Sequence, residues 1–179
     1  MNRRISGRQI VDWLGPPDRV LILSSAGLGL VAEIARQGWS AALPCAGLSG
    51  VAAAIAVIDL RHHRIPDLLS LPLIPLGLIY CALSDPLWLR LVAMAVVWVA
   101  LKLLQYGFLR LRGKAGLGGG DVKLMTAAAA WLPFESLPFY ILAASVTGLI
   151  GALLWRTSDE PIAFGAHLAP LLAILVLFS

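Results

Sequence analysis

Apolar residues in this chain fall into seven long runs, at 20–35, 39–60, 68–83, 87–109, 122–134, 137–155 and 162–178, separated by short polar or proline-bearing joints. Such runs leave little choice of fold. A helix needs ~20 apolar residues to cross ~30 Å of hydrocarbon, and lipid tolerates only elements whose backbone polar groups are satisfied internally. The pattern predicts an all-α integral membrane protein, a bundle of six or seven transmembrane helices. Composition agrees: 59% of the 179 residues are hydrophobic and 13% charged, against about 25% charged in soluble domains. No separate soluble domain fits. The expected organisation is a short cytoplasmic or interfacial segment at 1–19 and one transmembrane domain at 20–179.

The joints carry the charge. Arg3, Arg4, Arg8 and Arg19 surround IVDWL and the Pro16-Pro17 break, which reads as an interfacial segment ahead of the first span. With the N-terminus inside, the inner joints hold Arg61 and Arg64, then Arg110, Arg112 and Lys114, then Arg156; the outer ones offer little beyond Arg36 and Arg90. That asymmetry is the positive-inside pattern. Trp13, Trp39, Trp88, Trp131 and Trp155 lie near run ends, as an aromatic belt requires. Lys102, within the fourth run, reads as snorkelling or facing the bundle. A cleaved signal peptide fits the first run poorly, because Glu33 and Arg36 follow a long apolar region without a small-x-small site. The fifth run is short, about thirteen residues or ~20 Å, so it must lean on a thinned bilayer, a cavity or a neighbour beyond Pro133.

The net charge of +4 does not point to nucleic acid, because the basic residues stand singly, with no stripe or aromatic interleaving. Cys45 and Cys81 form no CxxC pair and read as small core residues.

Two acids remain conspicuous. On this topology Asp59 ends the second span and Asp121 begins the fifth at the same membrane face. The other acids, Asp18 among them, lie near loops or span ends, and most of them read as solvated groups. Back from Asp59 by helical steps lie Ala56, Ala52 and Ser49; forward from Asp121 lie Leu124, Met125 and Ala128. Small-residue faces are how membrane helices approach closely, so these two are expected to pack and bring the carboxyls within reach of one water molecule. Gly116, Gly118, Gly119 and Gly120 would let an irregular loop carry Asp121 into a wet pocket at the membrane edge. Like charges a few ångströms apart resist ionising together, so one carboxyl keeps a proton while the other loses it. The pair is then an acid and a base, able to activate water against a peptide carbonyl with no metal or cofactor.

Blander readings stand beside this one. Asp59 could cap its helix and pair with Arg61 or Arg64, and Asp121 could be an N-cap. The glycine loop does not suit phosphate: GxxxxGK[ST] is absent and Asp121 would repel the anion. His62 and His63 point apart on a helix and lack a third ligand, so no metal site is expected. They read as a basic rim. Lys123 reads as snorkelling to headgroups, with an acidic residue of a substrate as the alternative, and Asp67 as a helix cap.

The stretches AIAVIDLRHHRIPDLLSLPL and KAGLGGGDVKLMTAAAAWLP resemble the two signature regions of type IV prepilin peptidases, the GxGD membrane aspartyl proteases. The GxGD element is Gly118-Gly119-Gly120-Asp121, followed by Val122-Lys123; the other aspartate is Asp59, followed by a basic loop, Ile65-Pro66 and Asp67. The resemblance runs from about residue 47 to 133, and PIAFGAHLAPLL looks like a worn C-terminal motif of the same family. It implies Asp59 and Asp121 as the catalytic pair, with Gly118, Gly119, Gly120, Lys123 and Asp67 as the supporting loop. It further implies a multi-pass protein of the bacterial inner membrane, cutting the short basic leader of pilin-like precursors on the cytoplasmic side. Bifunctional members also methylate the new N-terminus and carry a cysteine-rich insert, for which this sequence lacks both cysteines and space. The resemblance is therefore to the compact, peptidase-only form of Flp/Tad pili. Competing readings are a GxGD protease with other membrane substrates, a small ion- or proton-coupled transport component, and a non-catalytic assembly factor. No convincing inverted repeat favours transport, and the presence of both aspartates argues against the last.

Overall fold

The computed structural model describes residues 7–37, 39–82, 86–113, 117–154 and 163–178; Lys114, Gly116, Trp155 and Arg156 lie outside them, as do the side chains of Glu33, Arg36 and Trp39. All regular structure among the described residues is helical. The elements are α1 (Gly7–Trp13), α2 (Pro16–Gln37), α3 (Trp39–His62), α4 (Asp67–Ser70), α5 (Leu73–Cys81), α6 (Leu87–Arg112), α7 (Gly119–Trp131), a 3-10 turn (Phe134–Ser136), α8 (Leu137–Leu154) and α9 (Gly165–Phe178). Each apolar run became a helix, with one exception in form. The third is split into α4 and α5 around Pro72, which has no N–H to continue the α4 ladder.

Among the described residues, three segments are long and apolar enough to cross a membrane by length and composition: Ala42–His62, Leu87–Leu111 and Phe134–Gly151. Asp67–Cys81 and Gly165–Phe178 are shorter apolar helices. Large apolar side chains cover the outside, among them Trp88, Val92, Val96, Val99 and Leu103 on α6 and Leu142, Leu149 and Leu153 on α8. Water would penalise such a surface; a bilayer covers it.

At the centre stands α7. From Leu124 to Trp131 every residue is buried, and α7 packs against α4, α5, α6 and α9. Its short length follows from this placement: enclosed by protein, it need not span lipid itself. Ala127, Ala128, Ala129 and Ala130 have no exposed surface, and their small side chains permit backbones to approach closely. The direct packing of α3 on α7 expected from their small faces is not the principal contact. Instead α9 packs on both and bridges them, and Ser49 turns toward α2, where its carbonyl accepts the Ser25 hydroxyl at 3.3 Å.

Three polar or aromatic residues differ from their sequence-based roles. Asp18 is buried rather than solvated: Arg61 grips it with Nη1 at 2.6 Å and Nη2 at 2.7 Å, and the Gly15 amide donates to it at 2.8 Å. Trp131 belongs to the core instead of the aromatic belt. Its indole N–H donates to the Leu73 carbonyl at 2.8 Å and its ring stacks on Tyr80, so burial leaves no unsatisfied donor. Arg90, expected in an outer joint, is buried and donates to the Leu132 carbonyl just beyond α7.

Candidate active site

Where α3 ends, His63 adopts a left-handed conformation (φ 49°) and its amide donates to the Asp59 carbonyl at 2.8 Å. Asp59 therefore occupies the final turn of α3, with 4% of its surface exposed. A carboxylate so deep needs donors. They come from α9, far along the chain: the Ala166 amide donates to Oδ2 at 3.0 Å, and the Gly165 amide also bonds to this carboxyl. Free amides at a helix N-terminus, with the positive end of the helix dipole, are a natural seat for a carboxylate. The alternative pairing of Asp59 with Arg61 does not occur, because Arg61 is engaged by Asp18.

Asp121 is the third residue of α7, after Gly119 and Gly120, with Gly118 at the N-cap. It is not itself the cap. Its carboxyl folds back to accept the Gly118 amide, the reciprocal half of a capping box, here without a hydroxyl partner. This geometry dictates the glycine. A Cβ at Gly118 would lie 2.7 Å from Asp121 Oδ2, whereas one at Gly119 would meet nothing within 4 Å.

The two acids lie within electrostatic range of each other, so the ends of α3 and α7 converge at one end of the bundle. Around them are further ionisable groups. His63 and His167 act electrostatically on Asp59, and Asp121 acts on Tyr140, whose hydroxyl donates to the Leu168 carbonyl at 3.1 Å. At the rim, Lys123 binds Asp67 at 2.6 Å with both side chains about half exposed, which joins α7 to α4. That ion pair replaces the snorkelling expected of Lys123, and Asp67 stands in the first turn of α4 behind Pro66 without capping it. His62 stacks on Trp13 with ring centroids 4.2 Å apart. Among the described residues no group of three His, Cys, Asp or Glu side chains is placed to hold a metal ion.

Sequence reasoning missed Gly165, Ala166 and His167 as neighbours of Asp59. The signal available was the FGAH stretch, where small residues open an apolar run and leave helix-terminal amides accessible.

Residues 46–153 match the type IV leader peptidase family, which is more than half of the chain and includes both aspartates. The chain belongs to that family. It is 37% identical over 168 residues to a prepilin leader peptidase/N-methyltransferase of Dickeya chrysanthemi, covering 89% of this chain and 58% of the relative. A protein of the same description from Aeromonas salmonicida is 36% identical over 147 residues, 78% of this chain and 50% of the relative. One from Escherichia coli K12 is 37% identical over 125 residues, 64% and 54% respectively. This leader peptidase family member spans about half the length of the curated relatives it matches. No solved structure matches it. Asp59 and Asp121 fall inside the family-matched stretch, whereas the amide donors of α9 fall outside it.

Proposed function

We propose that this protein is a membrane-embedded aspartic endopeptidase that removes the short basic leader of type IV prepilin-like precursors, with Asp59 and Asp121 as the catalytic pair. The observation that carries this reading is the convergence of the two acids, one from the end of α3 and one from the start of α7, within a stretch matching the type IV leader peptidase family. Two carboxyls in electrostatic contact share a proton more readily than both ionise. The ionised member takes a proton from water as the water attacks the scissile carbonyl, and the protonated member donates a hydrogen bond to the carbonyl oxygen. When the tetrahedral intermediate collapses, the leaving amine takes a proton from the pair. The Gly165 and Ala166 amides fix the orientation of Asp59, and the Gly118 amide fixes that of Asp121.

The basic joints support a cytoplasmic position for the pair in a multi-pass inner-membrane protein. There a precursor would present its basic leader in water and its apolar segment in lipid. The reaction assigned to this chain is hydrolysis, with no methyl transfer, and the supporting roles go to Gly118, Gly120, Lys123 and Asp67, whereas Gly119, expected among them, meets nothing that requires its missing Cβ.

Co-expression with a cognate prepilin tests the proposal. Asp59→Asn and Asp121→Asn should each slow cleavage by roughly 10²–10⁴-fold while the protein accumulates in the membrane as before. Processing at the normal rate in either variant refutes the assignment.

A further inference from the structure

Between Gly120, which precedes Asp121, and Gly165, which helps to seat Asp59, sits a side chain that the proposed chemistry does not use. Ile65 leaves the loop after α3, is partly buried against the core, and precedes Pro66. A residue before proline is restricted to extended backbone, and a β-branched side chain is stiff at χ1, so Ile65 is a rigid spacer. It is gripped on two sides by glycines. A Cβ at Gly120 would lie 2.9 Å from Ile65 Cβ, and one at Gly165 would lie 2.6 Å from Cδ1 and 2.8 Å from Cγ1. Gly120 adjoins Asp121 in the chain, and Gly165 donates to Asp59. The same absent Cβ at Gly165 would also stand 3.0 Å from Asp59 Oδ2.

We propose that Ile65 is a positioning residue: wedged between Gly120 and Gly165, it sets the separation of the Asp59 and Asp121 carboxyls. The inference rests on the aspartic peptidase reading above. Shortening the wedge lets the start of α7 and the start of α9 shift, and a shift near 1 Å at a reacting centre costs about 10²-fold in rate. It also lets the two carboxyls close up, which strengthens their electrostatic coupling. Coupled acids titrate in two separated steps, and stronger coupling draws the steps apart, so the pH plateau of cleavage widens. The ionisable groups facing the pair are His63 from the loop after α3, His167 from α9 and Tyr140 from α8.

The test measures precursor cleavage across pH in isolated membranes, with enzyme amounts matched by immunoblot. Ile65→Ala should cleave about 10²-fold more slowly with a wider plateau, and Ile65→Val, which loses only Cδ1, should fall between it and the parent. Gly165→Ala should be impaired by collision with Cγ1 and Cδ1, and Ile65→Ala/Gly165→Ala, lacking both atoms, should cleave faster than Gly165→Ala. Gly120→Ala should gain nothing from Ile65→Ala, because the colliding Cβ remains. A parental rate in Ile65→Ala, an unchanged plateau width, or a double variant no better than Gly165→Ala overturns the proposal. Asp59→Asn in the same membranes separates the two readings: if it is inactive while Ile65→Ala is unaffected, only the wedge fails; if it cleaves normally, the peptidase assignment itself falls.

Discussion

At the scale of single residues, adjacent glycines carry unequal burdens. Gly118 must lack a Cβ for the Asp121 carboxyl to fold back, but Gly119 faces open space. Gly118→Ala should therefore impair precursor cleavage, whereas Gly119→Ala should retain it and raise stability by roughly 0.4–1 kcal/mol through the unfolded chain, read as a higher thermal midpoint in detergent. Equal loss of activity in both would contradict this account. The GxGD pattern was legible in the sequence, and so was the family it resembles. Which glycine matters was not, because the answer depends on which way Asp121 turns. Asp18 was misread for a similar reason. Its partner Arg61 is 43 positions away, and no local pattern announces a bidentate grip across helices.

Helices were the most legible level, since run length and apolarity alone located nearly all of them. Their partners were harder to read. Small faces on α3 and α7 suggested direct packing, yet a small face shows only that close approach is possible, and α9 took that place against both. Two element-level contacts make predictions. The N-terminal corner of α1 and α2 clasps the end of α3 through Asp18–Arg61 and Trp13–His62. Arg61→Ala leaves a buried carboxylate without its charged donor, so stability should fall by roughly 1–3 kcal/mol, measured by denaturation in detergent; an unchanged midpoint would mean the clasp contributes nothing. In the core, Trp131→Phe keeps most of the packing but leaves the Leu73 carbonyl without the indole donor. The cost should be about 0.5–1.5 kcal/mol, and Gly77→Ala should cost more, because its Cβ would lie 2.7 Å from the same indole.

For the whole molecule, the site draws on distant parts of the chain. Asp59 comes from α3, Asp121 from α7 and the amides that seat Asp59 from α9, with α9 bridging the other two. Mass analysis of the processed precursor provides a check at this scale: the new N-terminus should carry no added methyl group when this chain is the sole processing enzyme, and a methylated product would show that it catalyses both reactions. The order of synthesis adds another consequence. Ribosomes deliver α3 and α7 well before α9, so a nascent chain already threaded into the bilayer holds both acids but lacks the amides that orient one of them. If these acids are the catalytic pair proposed above, proteolytic competence waits upon late steps of biogenesis, and a half-made chain is spared from cutting whatever passes beside the translocon.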